Sequence, residues 1–324
     1  MNSVDDSVTA VLDEAVPDRE VADASAAGLS WNDQNRTVRV EFTDGGSAFL
    51  KVAADGDGTR IARERAVVDY VDARRDVAVP TVLASGVEAA TPYLLTAPMA
   101  GENFHRPWEH WGLDRRVDEI ERVGAALGAV NAERFDRHGE VVGGGADGLE
   151  LDAGPWTDVL VATIEQARGL ASSDRFDHYF DAVVDAVEAN RALLDRAPAA
   201  LVHGDPAMPN AFCSERAIGF IDWELAHVGD PARDLNRARE QLIEARDLPD
   251  ADRDRLVAAL REGYRRGAGS LPHGLDERRP VYEAVRLVGV AGAFDKAVEH
   301  SDRSQSEYAG WLEAEMERRL DALR

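Results

Sequence analysis

In the first hundred positions apolar residues alternate with polar ones in short runs, whereas beyond position 114 they recur every three or four. Residues 37–42 (TVRVEF) and 48–53 (AFLKVA) carry an apolar side chain at every second position. The turn-prone Asp44-Gly45-Gly46 joins them, so they predict an antiparallel hairpin. A short amphipathic stretch, 4–15, precedes it. Residues 59–74, with Ile61, Val67, Val68 and Val71 near helical spacing, predict a helix, and 77–82 and 93–96 predict two more strands.

The second regime begins with Val117, Ile120, Val123, Leu127 and Val130, the stripe of a long amphipathic helix. Similar stripes cover 157–170, 176–195, 232–245, 252–264, 279–298 and 304–323. Only 211–223 interrupts them, with short strand-like runs around Ser214-Glu215-Arg216. There is no internal repeat and no low-complexity tract. A chain of 324 residues exceeds the size at which one core stops growing. The expected fold is therefore α+β and two-lobed, with a small antiparallel sheet and one helix in the first lobe and a mainly helical second lobe.

Charge narrows the partners. The chain has 61 acidic and 37 basic residues, a net −24, which disfavours nucleic acid and anionic membrane surfaces. Every basic residue except Lys51 and Lys296 is Arg, and this composition predicts a protein adapted to concentrated salt, as in a halophile. Cys213 is the only cysteine, so an intramolecular disulfide and a Cys-based zinc site are excluded and a buried, inert thiol is expected. The acidic, polar start is unlike a secretory signal, and no run approaches the roughly 20 apolar residues of a membrane span. A cytoplasmic location is expected; nothing in the sequence fixes an oligomeric state.

The densest chemistry is His203-Gly204-Asp205-Pro206-Ala207-Met208-Pro209-Asn210, followed by Ile221-Asp222-Trp223-Glu224. Phosphoryl transfer of the kinase type needs a carboxylate to accept a hydroxyl proton, plus an amide oxygen and a second carboxylate to hold magnesium on phosphates. Asp205, Asn210 and Asp222 supply these in that order. Lys51 lies on a predicted strand beside the predicted helix that carries Glu64, a pairing suited to gripping phosphates; Glu41 and Glu88 are alternative partners. Retention of ammonium at Lys51, in a chain that otherwise uses Arg, points to a need for a compact charge. Residues 94–101 (LLTAPMAG) fall between the lobes. Asp230 and Asp234 open a predicted helix; Asp230 reads as a cap, and Asp234 as a tie holding the 203–210 loop.

In Lys51, LVHGDPAMPN and GFIDWELAHVGDPARDL the chain resembles the aminoglycoside phosphotransferase and choline kinase-like superfamily, which is similar in fold to protein kinases. The resemblance runs from about Gly28 to the C-terminal helices. It implies Asp205 as catalytic base with His203 supporting its loop, Asn210 and Asp222 as magnesium ligands, and Lys51 and Glu64 positioning ATP. It further implies an ATP-binding lobe over 1–96, a linker over 97–101 with Thr96, Ala97 and Met99 against adenine, and a helical lobe over 102–324. The latter would carry the catalytic and substrate sites. The expected partner is a small hydroxylated molecule, such as an amino sugar or amino alcohol. Two features depart from the pattern: 28–36, where a phosphate-covering loop is expected, has no repeated glycine, and Asn131 stands where a supporting His is usual.

Other features read differently. Gly143-Gly144-Gly145-Ala146-Asp147-Gly148 fits a dinucleotide fingerprint by spacing, but no helix start follows, so a flexible loop is expected. Trp108, Trp111, Trp156 and Trp311 read as packing aromatics. Glu224, Glu240, Glu244, Glu262 and Asp295 could line an acidic substrate site or form solvated surface. Two rival functions stay open: a nucleotide-binding pseudoenzyme, suggested by the glycine-poor loop, and a metal-dependent phosphoesterase built on His203, Asp205 and Asp222.

Overall fold

The computed structural model describes residues 6–28 and 34–323. Most of the 28–36 segment, and the first two positions of 4–15, lie outside the described residues. The first lobe holds α1 (Asp6–Ala15) and a five-stranded antiparallel sheet of β1 (Val21–Ala26), β2 (Asn35–Phe42), β3 (Ser47–Ala53), β4 (Val82–Gly86) and β5 (Tyr93–Thr96). The strand order is β1-β2-β3-β5-β4. Alternation decides which face each side chain takes. Val38, Val40, Phe42, Ala48, Leu50 and Val52 form one apolar cluster with Val8, Val11 and Leu12 of α1. Lys51 lies between Leu50 and Val52 and so faces the other side. There α2 (Thr59–Arg74) packs Ile61 against Ala53 and Leu94.

The strand expected over 77–82 begins only at Val82. Pro80 interrupts the run and has no amide to donate to a ladder. Ala78 instead bridges Gly219 in the second lobe, donating to Ile218 O at 3.3 Å and accepting from the Phe220 amide at 3.0 Å.

After the linker, β6 (Glu102–Asn103) leads through α3 (His105–Trp108) and α4 (Leu113–Val130) to a hairpin of β7 (His138–Gly145) and β8 (Gly148–Gly154). Helices α5 (Trp156–Gly169), α6 (Asp177–Ala189) and α7 (Arg191–Leu194) follow, then β9 (Ala200–Val202), β10 (Ala211–Cys213), β11 (Ile218–Phe220) and β12 (His227–Gly229). The chain ends in α8 (Pro231–Ala238), α9 (Asp250–Ala268), α10 (Leu275–Gly292), α11 (Phe294–Glu299) and α12 (Gln305–Asp321). Two small sheets, β11-β10-β6 and β8-β7-β12-β9, lie among these helices. Gly101 turns the chain into β6 at φ +94°, where an added Cβ would strike the Cys213 carbonyl.

Four expectations need correction. The glycine-rich 143–148 is not a flexible loop but the end of the β7–β8 hairpin, with Ala146 and Asp147 as its turn. Its tip is fastened to α2 by Arg74, which donates to Ala146 O and Asp147 O at 2.9 and 2.6 Å. The helix expected over 176–195 breaks at Asn190, and the one over 279–298 starts at Leu275 and breaks at Ala293. The stretch 232–245 is α-helical only to Ala238 and continues as a π-helix over Arg239–Glu244.

Close packing of α4 on α9 sets the floor of the second lobe. A Cβ on Gly124 or Gly128 would overlap backbone of α9, and one on Gly263 or Gly267 would overlap backbone of α4. The bare helix surfaces let the axes approach nearer than side chains permit. From this pair, Tyr264 donates to Asn131 Oδ1 at 3.0 Å, and Asn131 Nδ2 donates to Leu201 O at 2.6 Å. Asn131 thus supplies a buried support to β9 in the position where His is usual.

Candidate active site

Strand β9 delivers the chain into the 203–210 loop. His203 is fully buried between the rings of Phe220 and Trp223. Its Nδ1 accepts from the Asp205 amide at 3.2 Å, so the proton sits on Nε2, which donates to Ile221 O at 3.0 Å. Burial pushes its imidazolium below the usual histidine range, against the pull of Asp234, Asp205 and Asp222. A neutral ring therefore braces the Asp205 loop against the backbone just before Asp222.

Asp234 holds the same loop from α8, accepting from the amides of His203 at 2.6 Å and Gly204 at 2.9 Å. Gly204 has φ +87°, and a Cβ there would meet the Leu225 carbonyl. Asp205 Oδ1 receives Nε and Nη2 of Arg237 at 2.9 and 2.6 Å. Asn210 Nδ2 donates to Asp205 O at 3.0 Å and lies 3.3 Å from Asp205 Oδ2. This engages the amide nitrogen and leaves the Asn210 oxygen as the end able to bind a cation.

Asp222 follows β11 in the left-handed region (φ 67°, ψ 58°) and is the only non-glycine with positive φ among the described residues. Aspartate tolerates this conformation better than most residues, but its adoption still costs free energy, a frequent mark of functional sites. Lys51 Nζ donates to Glu64 Oε2 at 2.5 Å, Asp222 Oδ1 at 2.6 Å and Glu224 Oε2 at 3.1 Å. Glu64 is thus the lysine's helix partner. Glu88 is exposed, and Glu41 pairs with Arg39 at 3.2 Å. Glu64 also accepts from the Trp223 amide at 3.3 Å, joining α2 to the turn after Asp222.

The Lys51 ammonium is 12% exposed and the Asp222 carboxylate 42% exposed, so the cluster opens toward solvent on the aspartate side. Burial disfavours the ammonium, but Asp222, Glu64 and Glu224 outweigh it and hold Lys51 well above the ordinary lysine value. Burial lifts the Glu64 carboxyl; Lys51 opposes the rise, while Asp222 and Glu224 add to it. Against its own burial, Glu224 is held below the usual carboxylate range by Lys51, Arg60 and Asn35.

The acidic set considered for a substrate surface does not behave as one. Glu224 is buried in the lysine cluster, bound by Arg60 at 2.8 Å and Asn35 at 2.7 Å. Glu240 is enclosed by Arg286 and Arg319 at 2.7 and 3.0 Å, and Glu244 pairs with Arg239 at 2.6 Å. Glu262 pairs with Arg265 at 3.1 Å near the surface, and Asp295 is exposed. Sequence spacing also left Arg60, Arg63, Asn35 and Arg237 unremarked. Arg63 ties α2 to the second lobe, donating to Val141 O, Glu224 O and Glu140 at 3.0, 3.1 and 3.0 Å.

In the linker, Thr96 closes β5 opposite Phe49 and Val82, while the Ala97 amide is already engaged by Thr81 O at 2.8 Å. What Ala97 can still offer a ligand is its carbonyl. The Met99 methyl rests against Gly219, where an added Cβ would collide with it. Cys213 is buried, its thiol pushed up by burial and bonded to Glu102 O at 3.5 Å. Trp108 and Trp156 are buried and Trp111 packs edge-on against Phe104, whereas Trp311 is partly exposed. No helix among the described residues is long and apolar enough to cross a membrane.

A search of curated protein sequences finds no match. Among solved structures, the chain superposes on choline kinase LicA from Streptococcus pneumoniae with TM-score 0.64 and 13% identity, over 98% of this chain and 99% of that one. It superposes on a thermostable mutant of aminoglycoside phosphotransferase APH(4)-Ia, in ternary complex with ADP and hygromycin B, with TM-score 0.62 and 17% identity, over 97% and 98%. It matches macrolide 2'-phosphotransferase MphH from Brachybacterium faecium with TM-score 0.58 and 18% identity, over 95% and 97%. These likenesses show a two-lobed, protein-kinase-like α+β fold. The sequence pattern described as the phosphotransferase enzyme family matches residues 26–280, and the chain belongs to that family.

Proposed function

We propose that the protein is an ATP- and magnesium-dependent phosphotransferase that moves the γ-phosphoryl group of ATP to a hydroxyl of a small molecule in the cytoplasm. The observation that carries this reading is the meeting of Lys51 and Glu64 from the first lobe with Asp222 from the second, next to a braced loop presenting Asp205 and Asn210. Residues 1–96 form the nucleotide-binding lobe, 97–101 the linker, and 102–324 the catalytic and acceptor-binding lobe. Lys51 grips ATP phosphates, Glu64 and Glu224 hold its ammonium in place, and the linker near Thr96, Ala97 and Met99 faces the adenine. Asp205 takes the acceptor's proton as its oxygen attacks phosphorus. Alignment and charge neutralisation supply most of the acceleration in this reaction class.

The donor set suits magnesium. The Asn210 oxygen and the half-exposed Asp222 carboxylate are hard ligands, and carboxylate oxygens of Glu64, Asp222 and Glu224 lie within 4.8 Å of one another. Asn210 and Asp222 would hold the ion, which when bound neutralises charge on the phosphate oxygens. Incubation with MgATP and a metabolite extract in concentrated potassium chloride, followed by mass spectrometry, tests the reading. A metabolite that gains a phosphoryl group only with ATP supports it. Nucleotide binding without turnover favours a pseudoenzyme, and phosphate release from the extract without ATP favours a phosphoesterase.

Two further outcomes follow. Lys51→Arg is expected to weaken ATP use although charge is kept, because a planar guanidinium cannot occupy the compact space between Glu64, Asp222 and Glu224. Unchanged turnover and ATP Michaelis constant in that variant would remove Lys51 from the phosphate site. The second outcome concerns salt. With a net charge of −24, self-repulsion reaches across a Debye length of about 10 Å at 0.1 M salt but only about 3 Å at 1 M. Adaptation to concentrated salt therefore predicts a melting temperature that climbs with potassium chloride, and a flat series would reject it.

A further inference from the structure

Arg237 lies three positions after Asp234 on α8, so the two side chains leave the same face of the helix. Both reach the 203–205 loop. Asp234 fixes its backbone through the His203 and Gly204 amides, and Arg237 fixes its side chain through Asp205. Both guanidinium bonds, from Nε at 2.9 Å and Nη2 at 2.6 Å, end on the same oxygen, Oδ1. Among the described residues the other oxygen has only the long 3.3 Å contact with Asn210, whose shorter bond goes to the Asp205 carbonyl. Two nearby guanidinium groups are committed elsewhere, Arg286 and Arg319 both being bound to Glu240. Arg237 and Asp205 are each only 24% exposed, so the pair is held more firmly than an open surface bridge.

We propose that Arg237 is a positioning residue for the base: by occupying Oδ1 it fixes the plane of the Asp205 carboxylate and leaves Oδ2 as the oxygen that takes the proton. The proposal rests on the phosphotransfer reading above. In the step, the acceptor hydroxyl gives its proton to Oδ2 while its oxygen bonds to the γ-phosphorus. The bond from that phosphorus to the β,γ-bridging oxygen breaks, and its electron pair leaves with ADP. Arg237 gives up no proton in this step and serves only to hold Oδ1. The planar fork suits this task because its two parallel donors define an orientation, which a single ammonium cannot.

The test uses the full chain with MgATP and water as the acceptor, so no acceptor need be known. ATP consumption is measured for the parent, Arg237→Ala, Arg237→Lys and Asp205→Asn, and calorimetry follows binding of a nonhydrolysable MgATP analogue. Arg237→Ala is expected to lose roughly 10- to 100-fold in turnover, the scale of a misplaced catalytic group, with nucleotide affinity unchanged. Arg237→Lys should recover only part of the loss. Millimolar guanidinium chloride, compared with equal potassium chloride, should restore turnover in Arg237→Ala but not in Asp205→Asn, a response that a purely structural role would not give. Parent-like turnover in Arg237→Ala, a matching loss of nucleotide binding, or no rescue by guanidinium would overturn the proposal. Should Arg237→Ala not fold, full turnover in Arg237→Lys overturns it instead. A parent that consumes ATP neither with water nor with the metabolite extract would sink the phosphotransfer reading itself, whereas an active parent with indifferent variants sinks only the role of Arg237.

Discussion

Asp205→Asn is expected to lower turnover by roughly two or more orders of magnitude while MgATP affinity stays near that of the parent. The amide is nearly isosteric with the carboxylate, and its oxygen can still receive Arg237 at the Oδ1 position. Its NH2 then stands where Oδ2 was, a donor in place of an acceptor, and no proton can be taken there. Asp222→Asn fails in another way. Asparagine also tolerates the left-handed backbone that Asp222 adopts, so the turn survives, but a negative hard-oxygen ligand is lost and Lys51 loses one of three anions. Magnesium-dependent nucleotide binding should therefore weaken along with turnover. Calorimetric titration with a nonhydrolysable ATP analogue, with and without magnesium, separates the two. The assignment fails if both variants bind MgATP like the parent, or if Asp205→Asn keeps full activity.

The two aspartates were legible in the sequence because the motifs that carry them are local: a run of eight residues and a four-residue turn keep the groups in a fixed chain order. Lys51 was legible through strand alternation, whereas its partner stayed open among Glu64, Glu41 and Glu88 until the packing of α2 set Glu64 against it. Glu224 and Arg60 were not legible, because a carboxylate or guanidinium on a polar stretch carries no sign of which lobe it will face. Glu224 read as a candidate for acidic surface, yet it is buried against Lys51 through contacts that bridge 173 positions of chain. Arg237 sits in an equally charged stretch, 32 positions from Asp205. Its usable signal is the three-residue spacing from Asp234, already read as the tie to the loop.

The same physics explains which strands escaped detection. Strand β1 is at the edge of its sheet and exposed along almost its whole length, and the residues that alternate with its polar ones are only alanines, Ala22, Ala24 and Ala26, too small to mark a buried face. Strands β9 and β12 have three residues each, too few to express a period, and exist because neighbouring strands complete their hydrogen bonds. In the β7–β8 hairpin the glycines that suggested a loop allow close approach of the two strands: a Cβ on Gly144 would overlap the Gly148 carbonyl. Propensity reads the isolated residue, whereas here pairing across the hairpin decides.

Asp230→Ala is expected to cost about 3–5 kcal/mol of folding stability, the usual penalty for stripping one partner from a buried ion pair. Asp230 read as a helix cap, and it does accept from the Ala232 amide at 3.0 Å. It also binds Arg278 of α10 at 2.6 and 3.2 Å and accepts from Tyr282, whose hydroxyl in turn receives the Trp156 indole N–H at 2.9 Å. Asp230 is 0% and Arg278 3% exposed, so truncation leaves a guanidinium, a phenol and a helix-start amide without their acceptor inside the lobe. Burial and then Asp230 hold the Tyr282 hydroxyl well above its usual range, so it remains a donor. Because Asp230 opens the helix that carries Asp234 and Arg237, the damage should reach the 203–210 loop, and activity should fall before global unfolding. Replacing both charges, Asp230→Asn with Arg278→Met, should recover much of the stability, since the uncompensated cation is then gone. Urea melts in concentrated potassium chloride measure the series; a loss below about 1 kcal/mol for Asp230→Ala would mean that water or a neighbouring group replaces the carboxylate.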